Sequence, residues 1–535
     1  MSASDTLLYT SSDWDWDTLS RIDDACREIA INEMGLSVYP NQMEIITAEQ
    51  MLDAYSSVGM PQFYKHWSFG KHFAQSEKAY KTGMQGLAYE IVINSSPCIA
   101  YLMEGNTATM QTLVIAHAAY GHNHFFKNNH LFKEWTDAEG ILDYLSFAKE
   151  YIAKCEERYG VTAVEMTVDA AHALQTHAVH RYLGKKTMSL KESEERAKRR
   201  RQEAQANFND LWRTIPASLS KPERDQALEQ RRTRLGMPQE NLLYFLEKYA
   251  PRLQPWQREI LRIVRKVAQY FYPQGQTKVM NEGCATYVHY RIMKRLHEKG
   301  MISDGNYLEF IHSHTSVVFQ PEFDDPRYSG FNPYALGFTM MMDIERIANG
   351  RDEFGVPLTD EQKEEDREWF KDQDWYKTFA GTGDSMGALK YAWANFRDES
   401  FIAQFLSPLV MRKMRMFHLH DDPANTEGIE VAKIHNDRGY RDVRRALAKS
   451  YEDGNRRPNI EIVDVNLEGE RRLDLVHTVY SGRELDEKTA SQVLQYLSDL
   501  WSYPVSLSED GGTRTTRSGT PREDVLKLWE LSAYV

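Results

Sequence analysis

Cysteine is scarce in this chain, and its four residues, Cys26, Cys98, Cys155 and Cys284, lie far apart. They form no C-x-x-C pair, which excludes a disulfide framework and a cysteine-based zinc ribbon. Widely spaced thiols are typical of proteins in a reducing compartment. The acidic N-terminus also lacks the basic start and apolar stretch of an export signal. The sequence therefore predicts a cytoplasmic protein.

Long apolar runs and an excess of positive charge are also missing. No stretch of about 18 apolar residues occurs, so we expect no membrane span. The net charge of −13 excludes a chain that coats nucleic acid over its whole surface, because phosphate binding depends on clustered Lys and Arg. We therefore expect no nucleic-acid partner. There is no G-x-x-x-x-G-K-[ST] phosphate loop, no G-x-G-x-x-G turn and no G-x-S-x-G elbow, which removes three common catalytic chemistries.

Helical periodicity dominates what is present. It predicts an α+β, mainly helical chain with a large helical domain over residues 1–422 and a small strand edge at residues 89–103. A highly charged stretch, residues 185–207, predicts an exposed helical connector. The last part, residues 423–535, reads as strand, helix, strand, strand, helix, strand, with the first strand at 428–435. This order predicts a C-terminal ferredoxin-like βαββαβ domain.

Three helical segments carry side chains that bind metal ions. The first holds His117, Tyr120 and His124 on one face; His122 lies about 140° away on an ideal helix, although Gly121 can relax the helix and bring it inward. The second holds Glu165, Asp169 and His172, and the third Glu282 and His289. Burying such groups costs several kcal/mol unless they are paired or bound to a cation.

A shared divalent metal site is therefore predicted, with zinc as the leading ion and iron or manganese as alternatives. The predicted metal ligands are His117, His122 and Glu282, with His172 and His289 as further ligands, and the predicted catalytic residues are Glu165, Asp169 and Tyr120. Two histidines and one glutamate that leave a position for water are how catalytic zinc is held.

The segment N-E-G-C-A, residues 281–285, resembles the stretch that supplies the third zinc ligand in gluzincin aminopeptidases. The resemblance implies a zincin-like centre that hydrolyses an amide bond. Those enzymes carry a glutamate directly after the first histidine as general base, whereas this chain has Ala118 there. Glu90, Glu104, Glu165 and Asp169 are the acids that can take this role.

Two other functions fit the same residues. One is a di-iron or di-manganese carboxylate oxidoreductase, which needs about four carboxylates and two histidines on facing helices. The other is a non-catalytic regulator in which the polar residues form a buried hydrogen-bond network.

Longer strings resemble the stage V sporulation protein R (SpoVR) family along nearly the whole chain. They include Y-P-N-Q-M-E-I-I-T (39–47), Y-E-I-V-I-N-S-S-P-C-I-A-Y-L-M-E (89–104), A-H-x-x-Y-G-H (116–122), N-E-G-x-A (281–285), F-x-H-S-H-T (310–315) and E-S-F-I-x-Q-F-L-S-P (399–408). The resemblance implies a cytoplasmic protein linked to sporulation or stress response. It also implies partners: a PrkA-type serine protein kinase and a von Willebrand-like protein. No reaction comes with the family.

Overall fold

The computed structural model describes most of the chain. The described residues are 7–56, 64–68, 71–72, 74–75, 78, 90–181, 235, 237–420, 430–432, 437–466, 470–480, 482–510 and 516–532. The predicted connector at residues 185–207 lies outside them. The mainly helical α+β fold that the sequence predicts is confirmed.

Helices outnumber strands among the described elements. The helices are α1 (Trp16–Arg27), α2 (Ala48–Ser56), α3 (Ala108–Ile115), α4 (Asn123–Asn128), α5 (His130–Trp135), α6 (Ile141–Tyr159), α7 (Val161–Ala173), α8 (Leu242–Tyr249), α9 (Pro255–Gln276), α10 (Lys278–Glu298), α11 (Asp304–Val317), α12 (Pro333–Asn349), α13 (Asp360–Phe370), α14 (Asp374–Phe379), α15 (Ser385–Asn395), α16 (Asp398–Phe405), α17 (Pro408–Lys413), α18 (Asp437–Tyr451), α19 (Asp453–Arg456), α20 (Glu487–Trp501) and α21 (Glu523–Ser532). The strands are β1 (Asn41–Ile46), β2 (Glu90–Ile93), β3 (Cys98–Met103), β4 (His418–His420), β5 (Glu430–Ala432), β6 (Asn459–Val465), β7 (Leu473–Thr478), β8 (Val505–Glu509) and β9 (Thr516–Gly519). Two π-helical turns, Glu28–Glu33 and Ala116–His122, and one 3₁₀ turn, Gln175–His177, complete the set.

Two compact units are formed, each from two stretches of chain. The first contains residues 1–150 and 270–452, and the second contains residues 151–269 and 453–535. The predicted domain boundary between residues 422 and 423 falls among residues that are not described, so it stays a prediction.

In the first unit, a three-stranded sheet lies next to the helix that carries the first histidines. The strand order is β1-β3-β2, with β3 parallel to β1 and antiparallel to β2. The central strand, C-I-A-Y-L-M, is apolar along its length, as expected for a strand covered on both faces. Thr107 then caps the next helix by accepting a hydrogen bond from the Met110 N–H. The strand pair confirms the strand edge that the sequence predicts at residues 89–103.

Helix α10 receives its N-terminal cap from a distant part of the first unit. Thr277, the residue before the helix, makes no side-chain cap. Instead, the buried Asp398 carboxylate accepts hydrogen bonds from the backbone N–H groups of Val279 and Met280, at 3.0 and 2.9 Å. A carboxylate at a helix N-terminus also interacts favourably with the helix dipole. Asp398 of α16 thereby holds the first turn of α10, which directly precedes Glu282.

The second unit contains a four-stranded sheet of order β6-β7-β8-β9. Strands β7 and β8 are parallel, so they need a crossover connection, and α20 provides it. This sheet with its helix fits the predicted ferredoxin-like domain. The strands differ in one respect: β5, inside the predicted strand 428–435, pairs with β4 rather than with this sheet. The described fourth strand is β9, which the sequence pattern did not predict.

Candidate metal centre

His117 and His122 point to the same place because their helix contains a π-helical turn. The helix runs without interruption through α3, the turn Ala116–His122 and α4; we call residues 108–128 the histidine helix. In a π-helix the hydrogen bonds run from i to i+5, so residues five apart lie one turn apart. The two imidazole rings stand 4.6 Å apart between centroids. The separation of about 140° expected on an ideal α-helix is therefore wrong for this segment.

Glycines allow the histidine helix and α10 to pack backbone to backbone. A Cβ atom on Gly121 would lie 2.5 Å from the Ala285 Cα. On another side of α10, a Cβ on Gly283 would lie 2.6 Å from the Gly337 Cα on α12. The N-E-G-C-A segment thus has a packing role, since Gly283 and Ala285 meet the two neighbouring helices while Glu282 is left to face the histidines.

Four side chains from three elements converge at this contact: Glu90 at the start of β2, His117 and His122, and Glu282 of α10. The Glu90 Oε1 lies 3.5 Å from the His117 Nε2, and the Glu282 Oε2 lies 3.6 Å from the His122 Nε2. Ligand atoms of Glu90, His117 and His122 all lie within 4.8 Å of one another, as a bound metal ion requires, and Glu282 lies beside this group of three through its contact with His122. We call these four residues the His/Glu cluster.

The spacing in the His/Glu cluster fits a small cation better than direct hydrogen bonds. Charge-assisted N–H···O bonds are about 2.7–2.9 Å long, and both measured N–O distances are longer. Ligands about 2.1 Å from a tetrahedral ion stand about 3.4 Å apart, which is close to the separation of the Glu282 Oε2 and the His122 Nε2. The Glu282 Oε2 is buried and has no hydrogen-bond partner among the described residues. The donors present therefore fit a divalent metal ion.

Asn281 determines which nitrogen of His122 faces the cluster. Its Oδ1 lies 3.0 Å from the His122 Nδ1. An amide oxygen only accepts hydrogen bonds, so the Nδ1 must carry the proton and a neutral His122 keeps its lone pair on Nε2. The adjacent residues Asn281 and Glu282 thus contact both nitrogens of one ring. A fixed tautomer of this kind is usual for metal-binding histidines.

On the side of His117 away from Glu90, three imidazoles form a chain. The His117 Nδ1 lies 2.9 Å from the His289 Nδ1, and the His289 Nε2 lies 2.9 Å from the His314 Nδ1. Both nitrogens of His289 are thus engaged by other histidines, and neither is directed at Glu90 or Glu282. The predicted role of His289 as a metal ligand stays a prediction, but its contacts are those of a residue that supports His117.

Burial changes the pKa of several groups in the site. It raises the pKa of Glu90 to about 8, and the nearby Glu282 carboxylate adds to the shift. It lowers the pKa of His117 and of His289 well below the usual value, with neighbouring histidines contributing. It lowers the pKa of His314 to about 4. The three rings are therefore neutral near pH 7, the form of histidine that binds metal ions.

Tyr120 lies on the histidine helix but has a different environment. Its buried hydroxyl donates a hydrogen bond to the Asp23 Oδ1 on α1, at 2.6 Å. This bond anchors the histidine helix to α1 and occupies the group that was predicted to act in catalysis. The catalytic role of Tyr120 stays a prediction.

The remaining predicted site residues, Glu165, Asp169 and His172, all lie on α7 of the second unit. The His/Glu cluster belongs to the first unit. The catalytic roles predicted for Glu165 and Asp169, and the ligand role predicted for His172, stay predictions.

Sequence reasoning named Glu90 as a candidate general base and did not place it among the predicted zinc ligands. The sequence feature that could have identified it is its position at the start of β2, because β2 pairs with β3 and β3 directly precedes the histidine helix. The contact of His314 with His289 joins residues 25 positions apart, and no sequence motif indicated it.

Comparison with known proteins agrees with these motifs. The family model described as "SpoVR like protein" matches residues 13–456, which include every residue of the His/Glu cluster. The chain belongs to the SpoVR family. A second model, "SpoVR-like C-terminal domain", matches residues 458–511. Among curated SpoVR relatives, the "Uncharacterized protein YcgB" of Escherichia coli (strain K12) is 49% identical over 528 residues, covering 98% of each chain.

No solved structure matches this SpoVR family member. None of the described helices has the length and apolar character needed to cross a membrane.

Proposed function

We propose that this SpoVR protein is a metal-dependent hydrolase that cleaves an amide bond at the His/Glu cluster. His117, His122 and Glu282 hold one divalent ion, with zinc as the leading choice, and Glu90 moves the proton. The observation that carries the proposal is the meeting of these side chains from three elements, with N–O distances of 3.5 and 3.6 Å and a buried Glu282 oxygen that lacks a partner among the described residues.

When bound, a divalent ion supplies Lewis acidity to a carbonyl oxygen and to water. The chain supplies the rest. Asn281 and His289 hold the two ligand rings by their Nδ1 atoms. Glu90 lies beside His117 and is not a metal ligand in this assignment. It therefore takes the role of general base, which in gluzincins belongs to the glutamate at the position of Ala118. In its ionised form, which is the minor form near pH 7 in the metal-free protein because burial raises the Glu90 pKa to about 8, its Oε1 accepts a proton from the attacking water. It then returns the proton to the leaving nitrogen, as a general acid–base catalyst does.

A mononuclear site is favoured over a dinuclear one by the number of carboxylates. A dinuclear carboxylate centre uses about four carboxylates with two histidines. The His/Glu cluster, counted over the described residues, contains two, Glu90 and Glu282. The substrate class that we propose, a peptide or a peptidoglycan-precursor amide, rests on the link to sporulation that the family resemblance implies. The kinase and von Willebrand-like partners are carried over from the family resemblance as proposals.

Metal content of the full-length protein purified without chelator tests the proposal. We expect about one equivalent of zinc in the wild type and a large loss in Glu282→Gln. Glu298→Gln is the matched control, because Glu298 lies on the same helix and is exposed. Two equivalents of iron would favour the oxidoreductase, and no stoichiometric metal in the wild type would favour the non-catalytic regulator.

Glu90→Gln separates the two roles within the cluster. It should retain the metal and lose hydrolysis of a panel of peptide and muropeptide amides. If Glu90→Gln loses the metal as fully as Glu282→Gln does, Glu90 is a ligand and the proton must be moved by another acid.

A further inference from the structure

The imidazole chain behind His117 raises the question of which way its hydrogen bonds run. His117, His289 and His314 are 3%, 1% and 4% exposed, so water does not compete for the ring nitrogens that bond to one another. Each neutral ring carries one N–H and one lone pair. The two N···N contacts of 2.9 Å then allow two consistent arrangements, one the reverse of the other. The Ala285 backbone also forms a hydrogen bond with His117.

In the first arrangement the His117 Nδ1–H donates to the His289 Nδ1, and the His289 Nε2–H donates to the His314 Nδ1. The His117 Nε2 then keeps its lone pair beside Glu90 and His122. In the reverse arrangement His314 donates to His289, His289 donates to His117, and the His117 Nε2 carries a proton that points at Glu90.

The distance at Glu90 distinguishes the two arrangements. A His117 Nε2–H directed at a carboxylate would form a bond of about 2.7–2.9 Å, whereas the Nε2 and the Glu90 Oε1 are 3.5 Å apart. The first arrangement also gives His117 the tautomer that Asn281 imposes on His122. The two ligand rings then present matching Nε2 lone pairs.

We propose that His289 and His314 are positioning residues that hold His117 in its Nδ1–H tautomer, so that its Nε2 lone pair faces the His/Glu cluster; as a statement about metal binding, this rests on the proposed function. Asn281 fixes His122 alone because an amide oxygen only accepts. An imidazole can donate or accept, so the direction at His289 depends on the whole chain of three rings. The 3.5 Å gap between the His117 Nε2 and Glu90 sets that direction, and the His314 Nδ1 then accepts the His289 Nε2–H. The packing of its ring against Phe310 and Phe338, at 5.7 and 4.9 Å between centroids, holds it in place.

Paired substitutions test the direction of the chain. In His289→Asn the amide oxygen replaces the accepting Nδ1, whereas His289→Leu removes the acceptor. Competitive Zn²⁺ titration of the metal-free full-length protein should show a dissociation constant about 10–100-fold higher for His289→Leu and within a few-fold of wild type for His289→Asn. His314→Leu and His314→Asn should differ in the same sense. His312→Leu, an exposed position on the same helix, is the control and should not change the value.

Nitrogen-15 NMR of the metal-free protein, labelled at histidine, gives a second readout that does not require metal binding. The His117 signals, assigned by their loss in His117→Gln, should show a protonated Nδ1 and an unprotonated Nε2. A protonated Nε2, or wild-type Zn²⁺ affinity in His289→Leu, overturns the inference. A wild type that binds no Zn²⁺ but shows the expected tautomer defeats the proposed function and leaves the tautomer assignment standing.

Discussion

Replacing Gly121 with alanine tests whether the histidine helix and α10 must touch backbone to backbone. The added Cβ would lie 2.5 Å from the Ala285 Cα, 2.9 Å from its Cβ and 3.2 Å from its carbonyl oxygen. Alanine is favoured over glycine in a helix by about 1 kcal/mol. Overpacking costs about 1–3 kcal/mol, and here the nearest atom belongs to the backbone and cannot rotate away. The steric cost should therefore prevail, lowering the free energy of unfolding by up to about 2 kcal/mol.

The same substitution should weaken Zn²⁺ binding at least tenfold. Moving the two helices apart separates His122 from Glu282, and a binding site tolerates errors of only about 0.5 Å. Urea denaturation of the metal-free protein and Zn²⁺ titration measure the two effects. Gly105→Ala is the matched control, because its Cβ would have no neighbour within 4 Å. Its unfolding free energy should change by less than about 0.5 kcal/mol.

Adding Ala285→Gly to Gly121→Ala should restore only part of the stability, because this removes the contact at 2.9 Å and leaves the backbone contact at 2.5 Å. If Gly121→Ala alone is as stable as the wild type and binds Zn²⁺ equally well, the close helix contact does not determine the geometry of the site.

Three further predictions concern other groups of the first unit. Burial raises the Glu90 pKa from 4.5 to about 8, so the metal-free protein should lose stability as the pH rises through this range. Urea titrations at pH 5 and pH 8 should show that Glu90→Gln removes most of this loss. An equal change in unfolding free energy between the two pH values in wild type and Glu90→Gln would contradict the shift. Asp398→Ala should lower the unfolding free energy by about 2–4 kcal/mol, because two buried N–H groups lose their acceptor. Asp398→Asn should lower it by less. A wild-type melting curve for the alanine variant would argue against the cap. Tyr120→Phe should cost about 1–3 kcal/mol by removing its bond to Asp23 and leave Zn²⁺ affinity unchanged; lost hydrolysis at unchanged stability would instead support a catalytic Tyr120.

Local sequence signals were sufficient for much of the first unit. The apolar strand pair at 89–103 is bounded by turn residues, and the prediction of this pair is confirmed. Thr107 directly precedes an apolar run in the sequence, which is the position of a helix cap, and it caps α3. The expectation that Glu282 meets the histidines is likewise supported by its contact with His122. These features depend on residues close in sequence or on motif order, which a single chain displays.

What the sequence could not supply depends on deviations from ideal geometry and on distant contacts. A regular α-helix of 3.6 residues per turn would place His117 and His122 on different faces. The π-helical turn, which is formed in a packed environment, brings them together. The capping of α10 by Asp398 joins residues more than 100 positions apart. In the second unit, β9 reads T-R-S-G, which carries no apolar alternation, so nothing in its own residues announces a strand.

The division of the chain has a consequence for its synthesis. The polypeptide leaves one unit for the other between residues 150 and 151, 269 and 270, and 452 and 453. A ribosome therefore releases residues 151–269 well before residues 453–535, which complete the second unit. Contacts between these two stretches include the backbone hydrogen bonds that Ile462 exchanges with Gln239 and the bond from the Trp529 indole to the Ala163 carbonyl. Domains generally fold as units, and partly made ones expose apolar surface. A nascent chain that stalls before residue 453 therefore contains only the first of the two stretches of the second unit. A truncation there should yield an aggregation-prone product rather than a smaller working protein.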